Sequence, residues 1–291
     1  RLHLAEAHAL LAARRIADGR ARIDAALEAR GERALGRGRA GRVSTLARFL
    51  VGPLLPLGRV PGWPGVPAPA ALERAEDRLR SAALIGYFDT IAGLEFLLQA
   101  RDGFHAGGAA EQAAWCELLL AFFARFGHPR GRSLSLRYRR AAARRLEGVI
   151  VESPIVRSFP EFLRAYDALR DGEFRHAITR FDRVLDATRD SREARSFEVQ
   201  LTTSLRTSAV LATQRVDDAE AAVAAFETFA REGVTIAMQC HVETARALVR
   251  TWRGRFELAV ESMERLRASW PAEPLTVQAI LIEVYSALPS V

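Results

Sequence analysis

Six residues of the sequence have the glycine spacing of a phosphate-binding turn. Gly36-Arg37-Gly38-Arg39-Ala40-Gly41 matches the pattern G-x-G-x-x-G. In dinucleotide-binding proteins these glycines follow a β-strand and open the helix of a βαβ unit. Here the preceding residues, Arg22 to Arg30, are predicted to be helical, and no parallel strand is predicted to follow. The run is therefore interpreted as a turn between two helices, and no cofactor is expected.

A second group with possible chemistry is a cluster of arginines on one predicted helix. Arginine pairs with phosphate through two parallel hydrogen bonds and gives salt-dependent affinity for polyanions. The cluster could instead be a solvated helix face or a face that meets an acidic protein, and both alternatives stay open. Nucleic acid is not the expected partner, because a chain without lysine must build every basic face from arginine. The candidate residues are Arg137, Arg139, Arg140, Arg144 and Arg145, with Arg130, Arg132 and Tyr138 beside them.

The composition excludes several kinds of catalysis. The chain contains no lysine, so all 42 of its basic residues are arginine. A P-loop, a protein kinase site and Schiff-base chemistry each need a lysine. The sequence also lacks the G-x-S-x-G and H-E-x-x-H motifs of hydrolases and zinc proteases. Acids alternate with arginines at helical spacing, as in residues 73–78, which is typical of a solvent-exposed face. The chain is predicted to have no catalytic residues.

The cysteines and histidines are not spaced to bind a metal. Cys116 and Cys240 lie far apart in predicted helices and are interpreted as reduced core residues, although a disulfide between them stays open. Cys240 and His241 are adjacent, so their side chains point to different sides of a helix and would chelate poorly. No metal site is expected, and this cysteine usage predicts a cytoplasmic protein.

Charge and hydropathy are distributed unevenly along the chain. Residues 1–150 carry 24 arginines and 14 acids, whereas residues 151–291 carry 18 arginines and 21 acids. No apolar run approaches the roughly 18 residues of a membrane-spanning helix, so no membrane association is predicted. The chain begins at Arg1 with neither a methionine nor a signal-peptide pattern, which is interpreted as a fragment of a longer protein.

The elements that must position these residues are predicted to be repeated helical hairpins. From Phe174 the apolar residues recur at i, i+3, i+4, i+7, i+10 and i+11, one face of an amphipathic helix. Similar patterns start at Val216 and Phe256, with the aromatic residue expected to begin the buried face. Each is preceded by a predicted first helix. These first helices are Glu161 to Arg170, which Pro160 is expected to start or kink, Arg195 to Ala212, and Met238 to Trp252.

Small residues recur at fixed points of these hairpins. Ala177, Ala219 and Ala259 come into register at spacings of 42 and 40 residues. They are predicted to be the repeat-contact positions, because a larger side chain would force two packed helices apart. Gly172 and Gly254 stand five residues earlier and suit the left-handed residue that ends a helix. A period near 40 residues predicts an all-α array of stacked hairpins, an α-solenoid.

The N-terminal part is predicted to be helical with a less regular repeat. Residues 1–51 are assigned to N-terminal hairpins, residues 52–70 to a loop with six prolines and four glycines, and residues 71–291 to the repeat array. The loop could be a domain boundary or part of one solenoid. Helices are predicted near residues 2–17, 20–30, 42–51, 70–87, 90–101, 109–126 and 132–147. Another first helix is predicted at residues 273–288, which carry an apolar stripe.

The hairpin sequences resemble tetratricopeptide repeats. Gly172 to Ala177, followed by Phe181, is similar to the second-helix signature Gly-Asp-Tyr-x-x-Ala…Phe, and Gly254 to Met263 is a looser copy. The spacing here exceeds the usual period of about 34 residues. The resemblance therefore implies hairpins of a tetratricopeptide-like kind with longer helices or loops.

A further resemblance suggests a function. Asp89 to Phe96 is similar to an Asp-Thr-x-x-Gly-x-x-Phe signature in the helical C-terminal regions of large bacterial signalling proteins. Those proteins join a serine/threonine protein kinase domain to an AAA/STAND-type ATPase module and a tetratricopeptide-like tail. Other similar stretches follow the family's order: 20–31, 125–129, 229–233, 270–271 and 277–278. The chain departs from the family at 52–70, at 146–160 and at Cys240-His241.

The family resemblance implies a non-catalytic sensor or docking region. Its partner would be another protein or the kinase and ATPase domains of the same polypeptide. Two alternatives stay open: the helical-repeat tail of a STAND-type transcription regulator, and a polyanion-binding solenoid that uses the arginine cluster.

Overall fold

The computed structural model describes residues 6–7, 10, 16–29, 39–54, 68–86, 89–127, 131–194, 196–213, 215–231 and 236–269. Throughout these ranges the secondary structure is helical and no β-strand is present, so the all-α prediction is confirmed. The chain forms two compact units, a first unit of Arg1–Glu152 and a second unit of Ser153–Val291. The division therefore falls after the helix that carries the arginine cluster.

The first unit is built from six described α-helices and one 3-10 turn. They are α1 (Ile16–Glu28), α2 (Arg39–Val51), the turn η1 (Gly52–Leu54), α3 (Ala68–Ile85), α4 (Thr90–Ala106), α5 (Ala110–Gly127) and α6 (Arg132–Leu146). Helix α3 packs against α4, α4 against α5 and α5 against α6. Helix α2 packs on α4, and η1 contacts both α2 and α6. The core between them is apolar and includes Phe96, Leu97, Phe104 and Leu120, all almost fully buried.

The second unit consists, over its described residues, of three successive hairpins. Their helices are α7 (Pro154–Arg170), α8 (Phe174–Thr188), α9 (Phe197–Ala212), α10 (Val216–Arg231), α11 (Ile236–Trp252) and α12 (Phe256–Ser269). Consecutive helices pack against each other, and α9 also packs against both α7 and α11. The first helices of successive hairpins are thus neighbours.

Helix α7 begins earlier than the sequence pattern predicts, and Pro160 lies inside it. Ser153 caps the helix by accepting a hydrogen bond from the Val156 N–H at 3.2 Å. Pro154 occupies the first turn, where its missing N–H and fixed φ are compatible with a helix. Glu193 adds a second cap, because its carboxylate accepts from the Ile155 N–H at 2.8 Å. The Ser-Pro start was the sequence signal for this boundary.

Other boundaries differ from the predictions by a few residues. Helix α1 runs continuously through Gly19, where two helices were predicted. Helix α4 extends to Ala106, and α3 already begins at Ala68, within the predicted Pro/Gly-rich loop. Residues 55–67 of that loop, most of the predicted helix 2–17 and the predicted helix 273–288 lie outside the described residues.

Candidate functional site

The three predicted repeat-contact alanines are buried at equivalent points of their hairpins. Ala177, Ala219 and Ala259 have no solvent-exposed surface. The N–H of each donates to the carbonyl four residues earlier, in the first turn of α8, α10 and α12, at 2.9–3.1 Å. Ala219 lies in an apolar cluster that joins α9, α10 and α11, and Ile178 of α8 packs against this cluster. The middle hairpin therefore shares its core with the hairpin before it.

The predicted turn glycines adopt the left-handed conformation. Gly172 has φ +81° and Gly254 has φ +72°. In both turns the glycine N–H donates to the carbonyl three residues earlier, and the next residue donates to the carbonyl five residues earlier. This is the pattern of a Schellman turn, in which a left-handed glycine ends a helix.

The same turn occurs in the first unit, where the sequence pattern was not recognised. Gly108 between α4 and α5 has φ +74° and makes the same two backbone bonds. Five residues later Ala113 is fully buried, as Ala177 and Ala259 are. The residue nine positions after each turn glycine is also buried. It is Phe181 or Met263 in the second unit but Glu117 in the first. An acid therefore occupies a core position of this motif.

The last described hairpin departs from the predicted apolar face. In α12 the side chains of Ala259 and Met263 are buried, but Phe256 and Val260 are 39% and 37% exposed. The expectation that Phe256 begins a buried face was wrong. Ile178, the equivalent of Val260 in α8, packs against the cluster of the following hairpin. The residues that follow α12 lie outside the described part of the chain.

The residues of the Asp89–Phe96 signature have identifiable structural roles. Asp89 caps α4, because its carboxylate accepts a hydrogen bond from the Ala92 N–H at 3.0 Å. The same carboxylate lies 3.6 Å from the guanidinium of Arg42 in α2. Gly93 approaches the backbone of Gly86 so closely that a Cβ on it would lie 2.5 Å from the Gly86 Cα. Phe96 is buried in the core.

The other stretches that resemble the signalling family lie at helix ends or outside the described residues. Residues 20–28 belong to α1, residues 125–127 end α5 and residues 229–231 end α10. Residues 128–129, 232–233, 270–271 and 277–278 are outside the described part.

The predicted arginine cluster is divided between the interior and the surface. Arg145 turns inward: its Nε lies 3.0 Å from Glu117 Oε1, and its Nη1 lies 2.9 Å from His105 Nδ1. Arg139 is partly buried, whereas Arg137, Arg140 and Arg144 are exposed. Tyr138, which stands among them in the sequence, is fully buried. One helix thus contributes both to a buried charge network and to an exposed basic face.

The buried charge network connects four helices of the first unit. Asp102 in α4 accepts from Arg101 Nε at 2.9 Å and Nη2 at 2.7 Å, and from Arg48 Nη2 of α2 at 2.8 Å. Tyr138 of α6 donates to the Phe49 carbonyl at 2.7 Å and stacks on the Phe49 ring. Together with the Glu117–Arg145 pair of α5 and α6, these contacts hold the helices in one arrangement.

Burial changes the protonation behaviour of two groups beside this network. Burial raises the pKa of the Glu117 carboxyl, and nearby Arg145 only partly offsets the effect. Burial also raises the pKa of the Cys116 thiol, so the thiol stays protonated near neutral pH. A protonated thiol is a poor nucleophile and a poor metal ligand. The sequence signal for Glu117 was a single acid inside the apolar run 113–124.

The remaining candidates do not assemble into a site within the described residues. Arg39 to Gly41 form the first turn of α2, while Gly36 to Gly38 lie outside the described part. No cluster of three or more metal-ligating side chains occurs among the described residues. None of the described helices is both long enough and apolar enough to cross a membrane. The side chain of Cys240 is not among those described.

Comparison with known proteins yields no relative: no protein-family model, no curated protein and no solved structure matches this chain.

Proposed function

We propose that this chain is a non-catalytic helical-repeat region that binds a protein partner. The observation that carries the proposal is the repeated hairpin of the second unit. The same glycine turn and the same buried alanine recur at Gly172–Ala177 and Gly254–Ala259, and α9 packs against the first helices on both sides. Stacked hairpins of the tetratricopeptide-like kind form extended surfaces on which proteins bind their partners.

Helix α9 supports the view that the hairpins stack on one another. Of its residues 197–212, Ser208 alone is exposed, and the others are buried or half-buried. Thr202 and Thr207 are buried, and their hydroxyls donate to the carbonyls four residues earlier at 2.7 and 2.9 Å. Buried hydroxyls are therefore satisfied inside the helix, which lets a polar helix lie between others. A helix with most of its surface covered is typical of the interior hairpin of an array.

The parent protein in this proposal is a bacterial signalling protein with a serine/threonine kinase domain and a STAND-type ATPase module. The order in which the similar stretches follow one another along the chain, Asp89–Phe96 among them, supports it. Binding of a partner, or of the chain's own catalytic domains, to the array would favour either the active or the inactive form of the switch. The catalytic activities would belong to those other domains.

The experiment that tests the proposal starts from the complete gene. A kinase domain encoded with this region should be expressed separately, and its autophosphorylation rate measured with increasing amounts of the purified chain. The proposal predicts a saturable change in rate, while the chain itself gives no heat of binding with Mg-ATP. A rate that stays constant at all concentrations would contradict it. A helix-turn-helix domain in place of the kinase would support the transcription-regulator alternative.

One observation favours the polyanion alternative as a second candidate. Arg137, Arg140 and Arg144 are exposed on one helix. Arginines of this kind bind polyanions with an affinity that falls steeply with salt. Binding of heparin or duplex DNA at physiological salt would support that function.

A further inference from the structure

The exposed side of α6 is a continuous stripe that combines arginines with small and apolar residues. The exposed positions between its ends are Ser133, Leu136, Arg137, Arg140, Ala143 and Arg144. Their spacing of three and four residues places them along one side of the helix. At 1.5 Å per residue, the three arginines span roughly 10 Å. This set, residues 133, 136, 137, 140, 143 and 144, is called the α6 stripe.

The charge of the α6 stripe is not balanced inside the described structure. Helix α6 carries six arginines and no acid in its 15 residues. Among the described residues no ion pair within 4 Å involves Arg137, Arg140 or Arg144. Exposed arginines of the second unit often do have acidic partners: the pairs Arg164–Glu161, Arg253–Glu220 and Arg265–Glu261 have N–O distances of 2.6–2.9 Å. Arg144 also acts on the buried Glu117 carboxyl from a longer distance, so Arg137 and Arg140 are the arginines of the α6 stripe whose charge faces solvent without such an interaction among the described residues.

The close spacing of the arginines in the α6 stripe destabilises the helix when no partner is bound. Like charges three and four residues apart repel, each pair by about 0.2–0.5 kcal/mol. Arg137–Arg140 and Arg140–Arg144 are two such pairs. An acidic partner would remove the repulsion and replace it with charge-assisted hydrogen bonds.

The residues around the arginines do not form a stacking platform for a single-stranded nucleic acid, and they offer apolar contacts to a protein. Tyr138 is fully buried, so its ring cannot stack on a base. Arg145 forms an ion pair with Glu117 inside the first unit. No aromatic side chain belongs to the α6 stripe, whereas single-stranded nucleic acids are bound on aromatic platforms. Leu136 is 39% exposed, and Ala143 is also exposed, so apolar contacts are available between the arginines.

We infer that the α6 stripe docks an acidic amphipathic helix of a protein partner. Carboxylates at i, i+3 or i+4, and i+7 on that helix repeat with the spacing of the three arginines. A leucine or other apolar residue between the carboxylates would cover Leu136. The planar arginine fork pairs with each carboxylate through two hydrogen bonds, which lysine cannot reproduce. The inference rests on the proposed protein-binding function and names the chemical class of the partner.

The test uses the full chain and a synthetic helical peptide of about four turns. The peptide carries glutamates and leucines at this spacing, and a second peptide has glutamine in place of each glutamate. Titration at physiological salt should show binding of the glutamate peptide and at least about tenfold weaker binding of the glutamine peptide, because the charge pairs are lost. No binding of the glutamate peptide at millimolar concentration would overturn the inference.

A matched pair of variants locates the binding face. Arg137→Gln/Arg140→Gln/Arg144→Gln should weaken binding of the glutamate peptide by about tenfold or more. The control Arg170→Gln/Arg175→Gln/Arg192→Gln changes net charge equally at three exposed arginines of the second unit and should alter affinity less than about twofold. Circular dichroism should show both variants folded, because the changed side chains are exposed. Equal losses in the two variants would mean that net charge alone attracts the peptide.

Two further outcomes distinguish an acidic helix on the α6 stripe from a polyanion and from a protein partner that binds elsewhere on the chain. If heparin or duplex DNA binds more tightly than the glutamate peptide, and the α6 variant loses that binding, the occupant is a polyanion and the inference is wrong. The kinase assay is repeated with the α6 variant. If the unmodified chain changes the kinase rate and the α6 variant does so equally, the protein-binding function stands and the α6 stripe is not its face.

Discussion

Gly93, in the first turn of α4, lies directly against Gly86 at the end of α3. A Cβ built on Gly93 would stand 2.5 Å from the Gly86 Cα and 3.0 Å from the Gly86 nitrogen. The two helices therefore meet backbone to backbone at this point. Gly93 lies in a regular helix, so its backbone conformation does not require glycine. The close approach of the two backbones does, because a Cβ at this position would meet Gly86.

Substituting Gly93 distinguishes this contact from ordinary helix propensity. Gly93→Ala should destabilise the first unit by about 1–3 kcal/mol, because the obstructing atoms are backbone and cannot move aside. Propensity alone predicts the opposite sign, since alanine in a helix interior is favoured over glycine by about 1 kcal/mol. Urea unfolding followed by circular dichroism gives the difference. The exposed Gln112→Ala should change stability by less than about 0.5 kcal/mol, and a stabilised Gly93→Ala would show that the helices do not meet here.

The buried Glu117–Arg145 pair yields a prediction about single and paired substitutions. Arg145→Met leaves the Glu117 carboxylate buried without its counter-charge and should cost about 3–5 kcal/mol. Glu117→Met restores the apolar residue found at the equivalent positions Phe181 and Met263. The double variant Glu117→Met/Arg145→Met should regain most of the loss, because neither charge is then buried alone. Urea unfolding of the three variants measures the coupling.

The two single variants and the double variant form a double-mutant cycle, which shows whether Glu117 and Arg145 act as a pair. Additive losses in the double variant would mean that Glu117 and Arg145 contribute independently. As a control, Arg137→Met on the same helix removes an exposed arginine and should cost less than about 0.5 kcal/mol.

The carboxylate of Glu161 predicts acid sensitivity in the second unit. It accepts hydrogen bonds from Arg164 at 2.9 Å and from Arg180 at 2.7 Å, so it joins α7 to α8. Burial acts to raise the pKa of Glu161, but these arginines outweigh it and the pKa lies below the ordinary 4.5. Because the folded chain binds this proton more weakly than the unfolded chain, the stabilisation is complete above pH 4.5 and is lost as the pH falls through the lowered pKa.

The pH dependence is measured as the difference between two proteins. Glu161→Gln should be less stable than the unmodified chain by about 1–2 kcal/mol at neutral pH, since charged hydrogen bonds are lost. The difference should shrink toward zero in acid as Glu161 becomes protonated. The exposed Glu257→Gln should show little difference at any pH. A difference for Glu161→Gln that persists unchanged down to about pH 2 would exclude the carboxylate charge as its source.

Much of the fold could be predicted because its signals are local. The apolar spacing after Phe174 and Val216 predicts a helix from each residue, and the observed helices begin at those residues. Gly172 and Gly254 have the left-handed φ expected of a helix-ending glycine. In each case the interacting residues lie a few positions apart, so their spacing can be recognised in a single sequence.

The parts that could not be predicted depend on contacts between distant residues. The sequence places five candidate arginines together, but only the packing of α5 on α6 turns Arg145 toward Glu117 and leaves Arg140 exposed. Arg180 of α8 pairs with Glu161 of the preceding helix, a contact that no local spacing in the sequence predicts. Glu117 was not recognised as a core residue because an acid breaks the apolar pattern that identifies the motif.

Ala177, Ala219 and Ala259 occupy the same position in three successive hairpins, and leucine substitutions there test whether the hairpins share one register. Unfolding by urea should show that Ala177→Leu, Ala219→Leu and Ala259→Leu each destabilise the second unit by about 1–3 kcal/mol, since a larger side chain would separate packed helices. Matched changes at exposed positions of the same helices, Ala187→Leu, Ala224→Leu and Glu257→Leu, should each change stability by less than about 0.5 kcal/mol. If any of the three buried alanines accepts leucine as readily as its exposed control, the hairpins do not share one register and the repeat array is contradicted.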